Sequence, residues 1–302
     1  METEETLTAE KAEKEKKEGD AYERVQKARS KDRLHLEDLI EALFEDFVEL
    51  KGDRLSREDS SILGGIAFFH GLPVTVIGHR KGRTTEENIR FHFGMASPEG
   101  YRKARRLMEQ AEKFGRPILT FIDTPGAYPG MEAETNGQAN AIAELLACMS
   151  ALKVPVIAVL TGEGGSGGAL ALAVADRVWM FENAVYSILS PEGFASILWK
   201  DASRAGEAAG LMKLTAGELL EYGLIDEIIP EGKRCITCLD RRLWEELELL
   251  GKVSPETRCR MRYLKFREIG HKKDSAKRES RNPMPEGTKE QMQKAESRKD
   301  EG

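Results

Sequence analysis

No stretch of this sequence is long and apolar enough to cross a membrane as a helix. The N-terminal residues lack the apolar segment of a signal peptide, and they are rich in Glu and Lys rather than in the Arg and Ser of an organelle transit peptide. Cysteines are scarce, with four in 302 residues, which is typical of proteins kept in a reducing compartment. We therefore expect a cytoplasmic protein.

An excess of positive charge is also lacking. The net charge is −6, which argues against a general nucleic-acid-binding surface. Hydrophobic residues make up 40% of the chain. This length and composition suffice for one large domain or two small ones.

The two ends of the chain lack the apolar periodicity that builds a core. We expect residues 1–20 to form a disordered polar tail and residues 271–302 to form a second one. Between them, apolar runs typical of strands alternate with amphipathic helical patterns, which predicts an α/β fold with largely parallel strands. The predicted organisation is an N-terminal helical segment at residues 21–56 followed by one domain at residues 57–270.

The first half of the chain contains two helical patterns and a hairpin. Apolar residues at helical spacing predict a helix over residues 35–50, with its carboxylates on a solvated face. Residues 62–69 and 73–77 predict the two strands of a hairpin. The basic loop at residues 78–83 follows, and we interpret it as solvated, although its cations could meet a phosphate or a carboxylate. An N-cap Ser followed by Pro predicts a helix over residues 97–114.

Two apolar strand patterns each run into a loop rich in glycine or proline. The strand predicted at residues 117–123 precedes TPGAYPG at 124–130, and the strand predicted at 154–160 precedes TGEGGSGG at 161–168. In a parallel sheet the carboxyl ends of neighbouring strands lie at one edge, where ligands usually bind. The small apolar residues 169–175 predict a helix that is packed on all sides.

Four of the five residues from 164 to 168 are glycine, namely Gly164, Gly165, Gly167 and Gly168. Glycine allows positive φ and lets a ligand approach the backbone closely. The first amides of a helix have no internal partner, so they suit an oxygen that develops negative charge. A tight turn that needs small residues is the simpler alternative, but one glycine would serve it.

The same stretch also matches G-x-S-x-G, with Ser166 as the nucleophile of a hydrolase. This alternative needs a histidine base, and His271 is the one histidine after Ser166, next to the predicted tail. Four histidines precede Ser166, and chain order alone does not exclude them.

Cys235 and Cys238 form a single CxxC pair, and Cys259 could add one further ligand. One pair without a second is a weak zinc signal. We expect incidental, reduced cysteines and no metal in this chain.

Five motifs in this order resemble the carboxyltransferase α subunit family of multi-subunit acetyl-CoA carboxylase, which belongs to the crotonase-like superfamily. They are IGHRKGR, FGMASPEGYRKARRLM, FIDTPGAYPG, GEGGSGGALALAVAD and SPEGFASILWK. The similarity runs from about Ala21 to Ile229, and RYLKFREIG is similar to the C-terminal end of the family.

The resemblance implies a crotonase-like spiral of repeated ββα units with helical N- and C-terminal extensions. It implies transfer of a carboxyl group from carboxybiotin to acetyl-CoA, which forms malonyl-CoA for fatty acid biosynthesis. The amides of Gly167 and Gly168 would then stabilise the biotin ureido oxygen as the catalytic groups. The remaining residues of the implied carboxybiotin loop are Gly164, Gly165, Ser166, Gly126, Pro191 and Glu192.

The resemblance also implies partners. The biotin is carried on a separate biotin carboxyl carrier protein and is loaded by a biotin carboxylase. A zinc-containing β subunit supplies the acetyl-CoA side, in an α2β2 hetero-oligomer. Two alternatives remain open at this point, a carboxyltransferase for another acyl-CoA and a serine hydrolase that uses Ser166.

Overall fold

The computed structural model describes residues 20–270 of the chain. The two predicted tails therefore lie outside the described residues, apart from Asp20. Described residues up to Arg267 form one compact unit, and a second unit begins at Glu268, where the last helix ends. The boundary expected between residues 56 and 57 stays a prediction. Among the described residues, no helix has both the length and the apolar composition needed to span a bilayer.

Helices and strands alternate along most of the described chain, as expected for an α/β protein. The helices are α1 (described residues 20–28), α2 (Leu36–Leu43), α3 (Thr85–Arg90), α4 (Pro98–Phe114), α5 (Met131–Thr135), α6 (Gln138–Ala151), α7 (Ser166–Leu170), α8 (Pro191–Trp199), α9 (Ala205–Met212), α10 (Ala216–Glu221), α11 (Cys235–Gly251) and α12 (Pro255–Glu268). The strands are β1 (Glu45–Glu49), β2 (Ile62–Phe69), β3 (Leu72–His79), β4 (Ile118–Thr124), β5 (Val156–Gly165), β6 (Arg177–Phe181), β7 (Val185–Ser187) and β8 (Glu227–Ile229).

The strands of the described chain form one mixed sheet in the order β1-β2-β3-β4-β5-β6-β8. The first three strands are antiparallel, and every pairing from β3 onward is parallel. The long strand β5 has two sets of neighbours, because its first half pairs with β6 and its last three residues pair with β7. Strand β5 therefore lies in the interior of the sheet, with its glycines at the carboxyl edge.

The hairpin and the long helix after it are confirmed. Strands β2 and β3 pair from Ile62 opposite His79 to Phe69 opposite Leu72. The turn residues His70 and Gly71 both have positive φ, 48° and 76°, as a tight hairpin turn requires. Helix α4 ends at Gly115, whose φ of 69° is the usual left-handed C-terminal cap.

The helix predicted over residues 35–50 is wrong in its second half. Helix α2 ends at Leu43, and residues 45–49 form the edge strand β1, antiparallel to β2. Phe44 and Phe47 fit the helical spacing, but aromatic residues and valine also favour a strand where a pairing edge is free. The free edge of β2 pairs with residues 45–49, so this segment forms a strand rather than a continuation of the helix.

The helix predicted over residues 169–175 is also wrong beyond Leu170, because α7 spans Ser166–Leu170 and turns follow it. Strand β6 pairs with the start of β5, with Arg177 opposite Ile157. The chain must therefore return roughly 26 Å from Gly165 at about 3.3 Å per strand residue. A continuous helix over residues 166–176 would cover only about 16 Å at 1.5 Å per residue, so more extended turns complete the return.

Helix α12 is attached to the sheet by a buried ion pair with Asp176, the residue before β6. The Arg262 guanidinium donates from Nε and from its second terminal nitrogen to the two Asp176 carboxylate oxygens, at 3.0 and 2.8 Å. Both side chains are buried, with 0% and 3% exposure. Arg262 also donates to the carbonyls of Met149, Leu152 and Val154, while Asp176 accepts from the Val156 amide. This one guanidinium therefore joins α12 to the end of α6 and to the start of β5.

We expect Arg262→Met to lower the free energy of unfolding by about 3–5 kcal/mol, because it leaves the Asp176 carboxylate buried without its counter-ion. Urea denaturation measures the change. Arg260→Met, on an exposed position of the same helix, is the matched control and should be close to wild type. The double variant Arg262→Met with Asp176→Asn should recover part of the loss. If Arg262→Met and Arg260→Met destabilised the protein equally, this role of Arg262 would be contradicted.

Candidate active site

The two loops predicted at the sheet edge lie against each other. Strands β4 and β5 pair in parallel from Ile118 opposite Val156 to Thr124 opposite Gly164, so both loops leave the same edge. Gly165 packs so closely on the backbone of Pro125 that a Cβ at Gly165 would overlap the Pro125 carbonyl oxygen. The loop at residues 124–130 is held by the Thr124 hydroxyl, which donates to the Gly126 carbonyl at 2.7 Å. The structure thus brings Gly126 to the glycine-rich turn.

The four glycines of the turn have different surroundings. A Cβ at Gly164 would lie 2.8 Å from the Tyr186 ring, and a Cβ at Gly168 would lie 2.5 Å from the Ala127 amide nitrogen. A Cβ at Gly167 would meet no atom within 4 Å. Among these four glycines, Gly167 alone has open space beside it. A side chain at Gly168 would press on the neighbouring loop of the protein. A side chain at Gly167 would instead enter open space, so we expect only the substitution at Gly167 to crowd a ligand directly.

The amides of Gly167 and Gly168 belong to the first turn of α7, which begins at Ser166. The first four N–H groups of a helix have no acceptor inside that helix. Because α7 has only five residues, its dipole is small. These amides would therefore act on a nearby oxygen as hydrogen-bond donors in fixed directions rather than through the helix dipole. The turn can therefore offer backbone donors to an oxygen at the open side of Gly167.

Ser166 has the backbone geometry of a nucleophile elbow, with a φ of 49° between a strand and a helix, and it is exposed. Its hydroxyl makes no hydrogen bond within residues 20–270. The described histidines have other surroundings: His35 contacts two backbone carbonyls, His70 pairs with Asp240, His79 is buried without a partner and His92 stacks on Tyr128. His271 lies outside the described residues. No described histidine is therefore hydrogen-bonded to Ser166.

A buried ion cluster lies directly beneath the two loops. The Lys81 ammonium lies 2.7 Å from a Glu163 carboxylate oxygen and 3.1 Å from an Asp123 carboxylate oxygen. Asp123 also pairs with Arg33 and accepts from the Glu163 amide at 3.0 Å. Asp123 stands immediately before the loop at residues 124–130. Glu163 stands immediately before Gly164, the first of the four glycines. The cluster consequently ties the bases of both loops together.

The interpretation of the basic loop at residues 78–83 as solvated is wrong for Lys81. Its side chain is 13% exposed. Burial lowers the pKa of Lys81 to about 8, although Glu163 acts in the opposite direction. Burial alone would raise the pKa of Glu163, but Lys81 and Arg29 outweigh it and lower that pKa. The sequence gives no local sign of this burial, because the two carboxylates come from distant strands.

Arg29 extends the cluster to α8. Its guanidinium donates to Glu163 at 2.7 Å and to Glu192 at 2.8 Å. Glu192 follows Pro191 in the first turn of α8, and β7, which leads to that helix, pairs with the end of β5. The structure thus brings Pro191 and Glu192 toward the glycine-rich turn, through a contact with the N-terminal segment that the sequence did not predict.

A strained turn next to the cluster was also missed. His92, Phe93 and Gly94 have consecutive positive φ values of 48°, 56° and 80°. Such a conformation is unfavourable for residues other than glycine, so the surrounding structure must hold it. The His92 ring stacks on Tyr128 with 4.8 Å between centroids, and a Cβ at Gly94 would lie 2.8 Å from the Asp123 carbonyl. The turn leaves the Phe93 side chain exposed.

The cysteine pair lies on a helix. Cys235 and Cys238 are in the first turn of α11, whereas the Cys259 thiol contacts the Leu152 carbonyl at 3.2 Å. Within residues 20–270, no three His, Cys, Asp or Glu side chains are arranged to hold a metal ion. The expectation that the chain binds no metal stays a prediction.

Comparison with known proteins identifies relatives along nearly the whole described chain. The family described as acetyl co-enzyme A carboxylase carboxyltransferase-like matches residues 2–270. The acetyl-coenzyme A carboxylase carboxyl transferase subunit alpha of Streptococcus thermophilus (strain LMD-9) is 54% identical over 247 residues, which cover 80% of this chain and 96% of that protein. The protein of the same name from Clostridium acetobutylicum is 55% identical over 257 residues, 82% of this chain and 94% of its own length.

A relative from Natranaerobius thermophilus is named for both subunits, beta/alpha. This chain is 54% identical to it over an aligned region that covers 42% of the relative. Among solved structures, transcarboxylase 12S has a TM-score of 0.62 and 19% identity, over 73% of this chain and 42% of the other. The Pseudomonas malonate decarboxylase hetero-dimer has a TM-score of 0.56 and 19% identity, over 69% of this chain and 91% of the other.

The solved structures confirm the expected crotonase-like fold, and the match to the family model includes both loops described above. The chain belongs to the α-subunit family of the acetyl-CoA carboxylase carboxyltransferase.

Proposed function

We propose that this chain supplies the carboxybiotin side of carboxyl transfer to acetyl-CoA, through the amides of Gly167 and Gly168. The observation that carries the proposal is the open space beside Gly167, at a turn whose other glycines are packed against protein. An acyl or ureido oxygen can approach a backbone donor only where no side chain intervenes. The residues present therefore fit a biotin head group.

Each residue of the turn has its own part in this proposal. Gly165 allows the two loops to pack in contact, Gly168 allows Ala127 to approach, and Gly126 supplies the positive φ of 152° in the neighbouring loop. Gly167 and Gly168 direct their amides at the oxygen that gains charge. Donors fixed before the reaction need no reorganisation, which is why such sites contribute strongly to catalysis. When bound, biotin supplies a ureido nitrogen that carries the carboxyl group and an adjacent oxygen that takes up negative charge.

The partners follow from the family. A β subunit is the expected partner of an α subunit, and the fused beta/alpha relative places both in one chain. We propose that the β subunit contains zinc and binds acetyl-CoA, that a separate carrier protein presents the biotin, and that a biotin carboxylase loads it. The proposed assembly is α2β2. Another acyl-CoA as acceptor stays an alternative, because the acyl pocket would belong to the partner.

Hydrolysis by Ser166 is the second candidate, and the positive φ of Ser166 favours it. A serine nucleophile also needs a base within hydrogen-bond reach, and no described histidine provides one. Carboxyl transfer needs no hydroxyl at this position. The two candidates therefore predict opposite results at Ser166 and Gly167.

We expect Gly167→Val, in the complex with the β subunit, to lower malonyl-CoA-dependent carboxylation of free biotin by about 10²–10³, the usual effect of losing one oxyanion donor. The side chain would enter the open space beside the amide, so thermal stability and subunit association should change little. Steady-state kinetics and size-exclusion chromatography measure the two effects.

Ser166→Gly is the matched control, because it removes the hydroxyl and glycine tolerates the φ of 49°. We expect it to keep nearly full turnover. An inactive Ser166→Gly beside an active Gly167→Val would favour the hydrolase and refute the oxyanion role. Gly168→Val is less informative, because its Cβ would also disturb the loop at Ala127.

We also expect the isolated chain to be inactive in malonyl-CoA-dependent carboxylation of biotin and to gain activity when the β subunit is added. The physical reason is that the proposed amides stabilise charge but bind no acyl-CoA. Activity is followed by decarboxylation of malonyl-CoA in the presence of free biotin. Turnover by the isolated chain at the rate of the complex would contradict a divided site.

A further inference from the structure

The first residues of the described chain lie along the edge of the sheet from which the two loops leave. We call residues 20–35 the N-terminal strap. One end of the strap forms a small core of its own with residues of β7, of α9 and of the turn after α9, namely Ala21, Val25 and Ala28 with Val185, Ala209 and Leu214. Near its other end, Arg33 pairs with Asp123 in β4. Arg29 lies between these two anchors.

Arg29 connects two elements of the candidate site. Its Nε donates to Glu163 at 2.7 Å, and its two terminal nitrogens donate to the two carboxylate oxygens of Glu192, at 2.8 and 3.3 Å. A bidentate contact of this kind fixes orientation as well as distance. It also holds the pKa of Glu192 below its usual range, so the pair stays charged at neutral pH. One guanidinium therefore spans the end of β5 and the first turn of α8.

Helix α8 has few other attachments. Two of its nine residues are buried, and both Ile197 and Leu198 are exposed. Its remaining side-chain hydrogen bonds within residues 20–270 are local, such as the one that the Gly193 amide donates to the Ser190 hydroxyl. In this part of the chain, the hydrogen bonds that reach α8 from a segment distant in sequence all come from Arg29. The orientation of the first turn of α8 therefore depends on this one side chain.

We propose that Arg29 is a positioning residue for carboxyl transfer, because it sets the distance between the first turn of α8 and the glycine-rich turn. The inference rests on the proposed function and on the implied place of Pro191 and Glu192 beside carboxybiotin. Glu163, the fixed end of the link, is also held by Lys81 and immediately precedes the glycines. A displacement of about 1 Å in a reacting complex can lower a rate by about 10².

The first experiment compares Arg29→Met with wild type in the complex with the β subunit. We expect kcat for malonyl-CoA-dependent carboxylation of free biotin to fall about tenfold or more, because the first turn of α8 loses its link to β5. The KM for malonyl-CoA should stay unchanged, since the proposed acyl-CoA site belongs to the β subunit. The melting temperature should fall by no more than about 3 °C, because partly exposed ion pairs contribute little to stability. An unchanged kcat would overturn the proposal.

Arg24→Met is the matched control within the strap. Arg24 donates to the Glu182 carbonyl at 2.6 Å and makes no hydrogen bond to α8. We expect this variant to keep nearly the wild-type kcat. If the reaction needed only an attached strap, Arg24→Met and Arg29→Met would be equally slow, and that result would refute a specific role of Arg29.

Arg29→Lys separates charge from geometry. Lysine keeps the positive charge, but its ammonium does not reproduce the planar fork that contacts both carboxylates. We therefore expect a kcat between those of Arg29→Met and wild type. Wild-type kcat in Arg29→Lys would show that charge alone suffices, which contradicts a positioning role.

Glu192→Gln tests the same link from the side of α8, because it removes the charge and keeps the size of the side chain. We expect the double variant Arg29→Met with Glu192→Gln to be no slower than the slower single variant, since both changes remove one contact. If Arg29→Met fails to fold, the cycle is made with Arg29→Lys. Losses that multiply would mean that the two residues act independently, and the proposal would be wrong.

Hydrogen–deuterium exchange of the complex gives a readout that does not depend on turnover. We expect the amides of residues 188–199 to exchange about tenfold faster in Arg29→Met than in wild type, with no change in Arg24→Met. Unchanged exchange in a folded Arg29→Met complex would show that Arg29 does not hold α8. A raised KM for biotin at unchanged kcat would make Arg29 a binding residue, which also excludes the proposed role. An inactive wild-type complex would instead count against the proposed function, so the two failures are distinguishable.

Discussion

The Lys81 ammonium, shared by Asp123 and Glu163, is the interaction on which the arrangement of the two loops at the carboxyl edge of the sheet depends. The carboxylates stand at the ends of two parallel strands, immediately before the two loops. Like charges at such positions would repel each other in a buried environment, and the cation between them removes that repulsion. Arg33 and Arg29 complete the neutralisation from the N-terminal segment. A segment far from the loops in sequence therefore stabilises their contact.

This constraint explains why the glycines are not equivalent. Once the loops are held in contact, Gly165 and Gly168 must accept the backbone of the neighbouring loop, and among the four glycines of residues 164–168 only Gly167 remains open. An oxyanion site needs fixed donors and free space, and this open position at the start of α7 is where we propose one. The strained turn at His92 and Phe93 adds an exposed aromatic wall near the same edge. Backbone contact, charge neutralisation and ligand space are thus parts of one arrangement.

Much of the fold was predictable because its signals are local. The hairpin of β2 and β3, the helix α4 with Pro98 and Gly115 at its ends, and the strands leading to both loops follow from turn and cap chemistry. The predictions for β1 and for the segment after Leu170 failed for another reason. At β1, the free pairing edge of β2 determined that the segment forms a strand. After Leu170, the distance back to the start of β6 determined that the helix does not continue. Neither quantity is visible in a short window of sequence.

The sequence by itself determined the α/β class, the position of the two loops at the carboxyl edge of the sheet and, through five motifs in order, the carboxyltransferase family. These features depend on residue type and spacing along the chain. Only the tertiary structure decided that Lys81 is buried rather than solvated, that Arg29 joins Glu192 to Glu163, and that Gly167 is the open glycine. The physical reason is that burial, ion pairing and free space arise between segments distant in sequence, and they exist only after the sheet has brought those segments together.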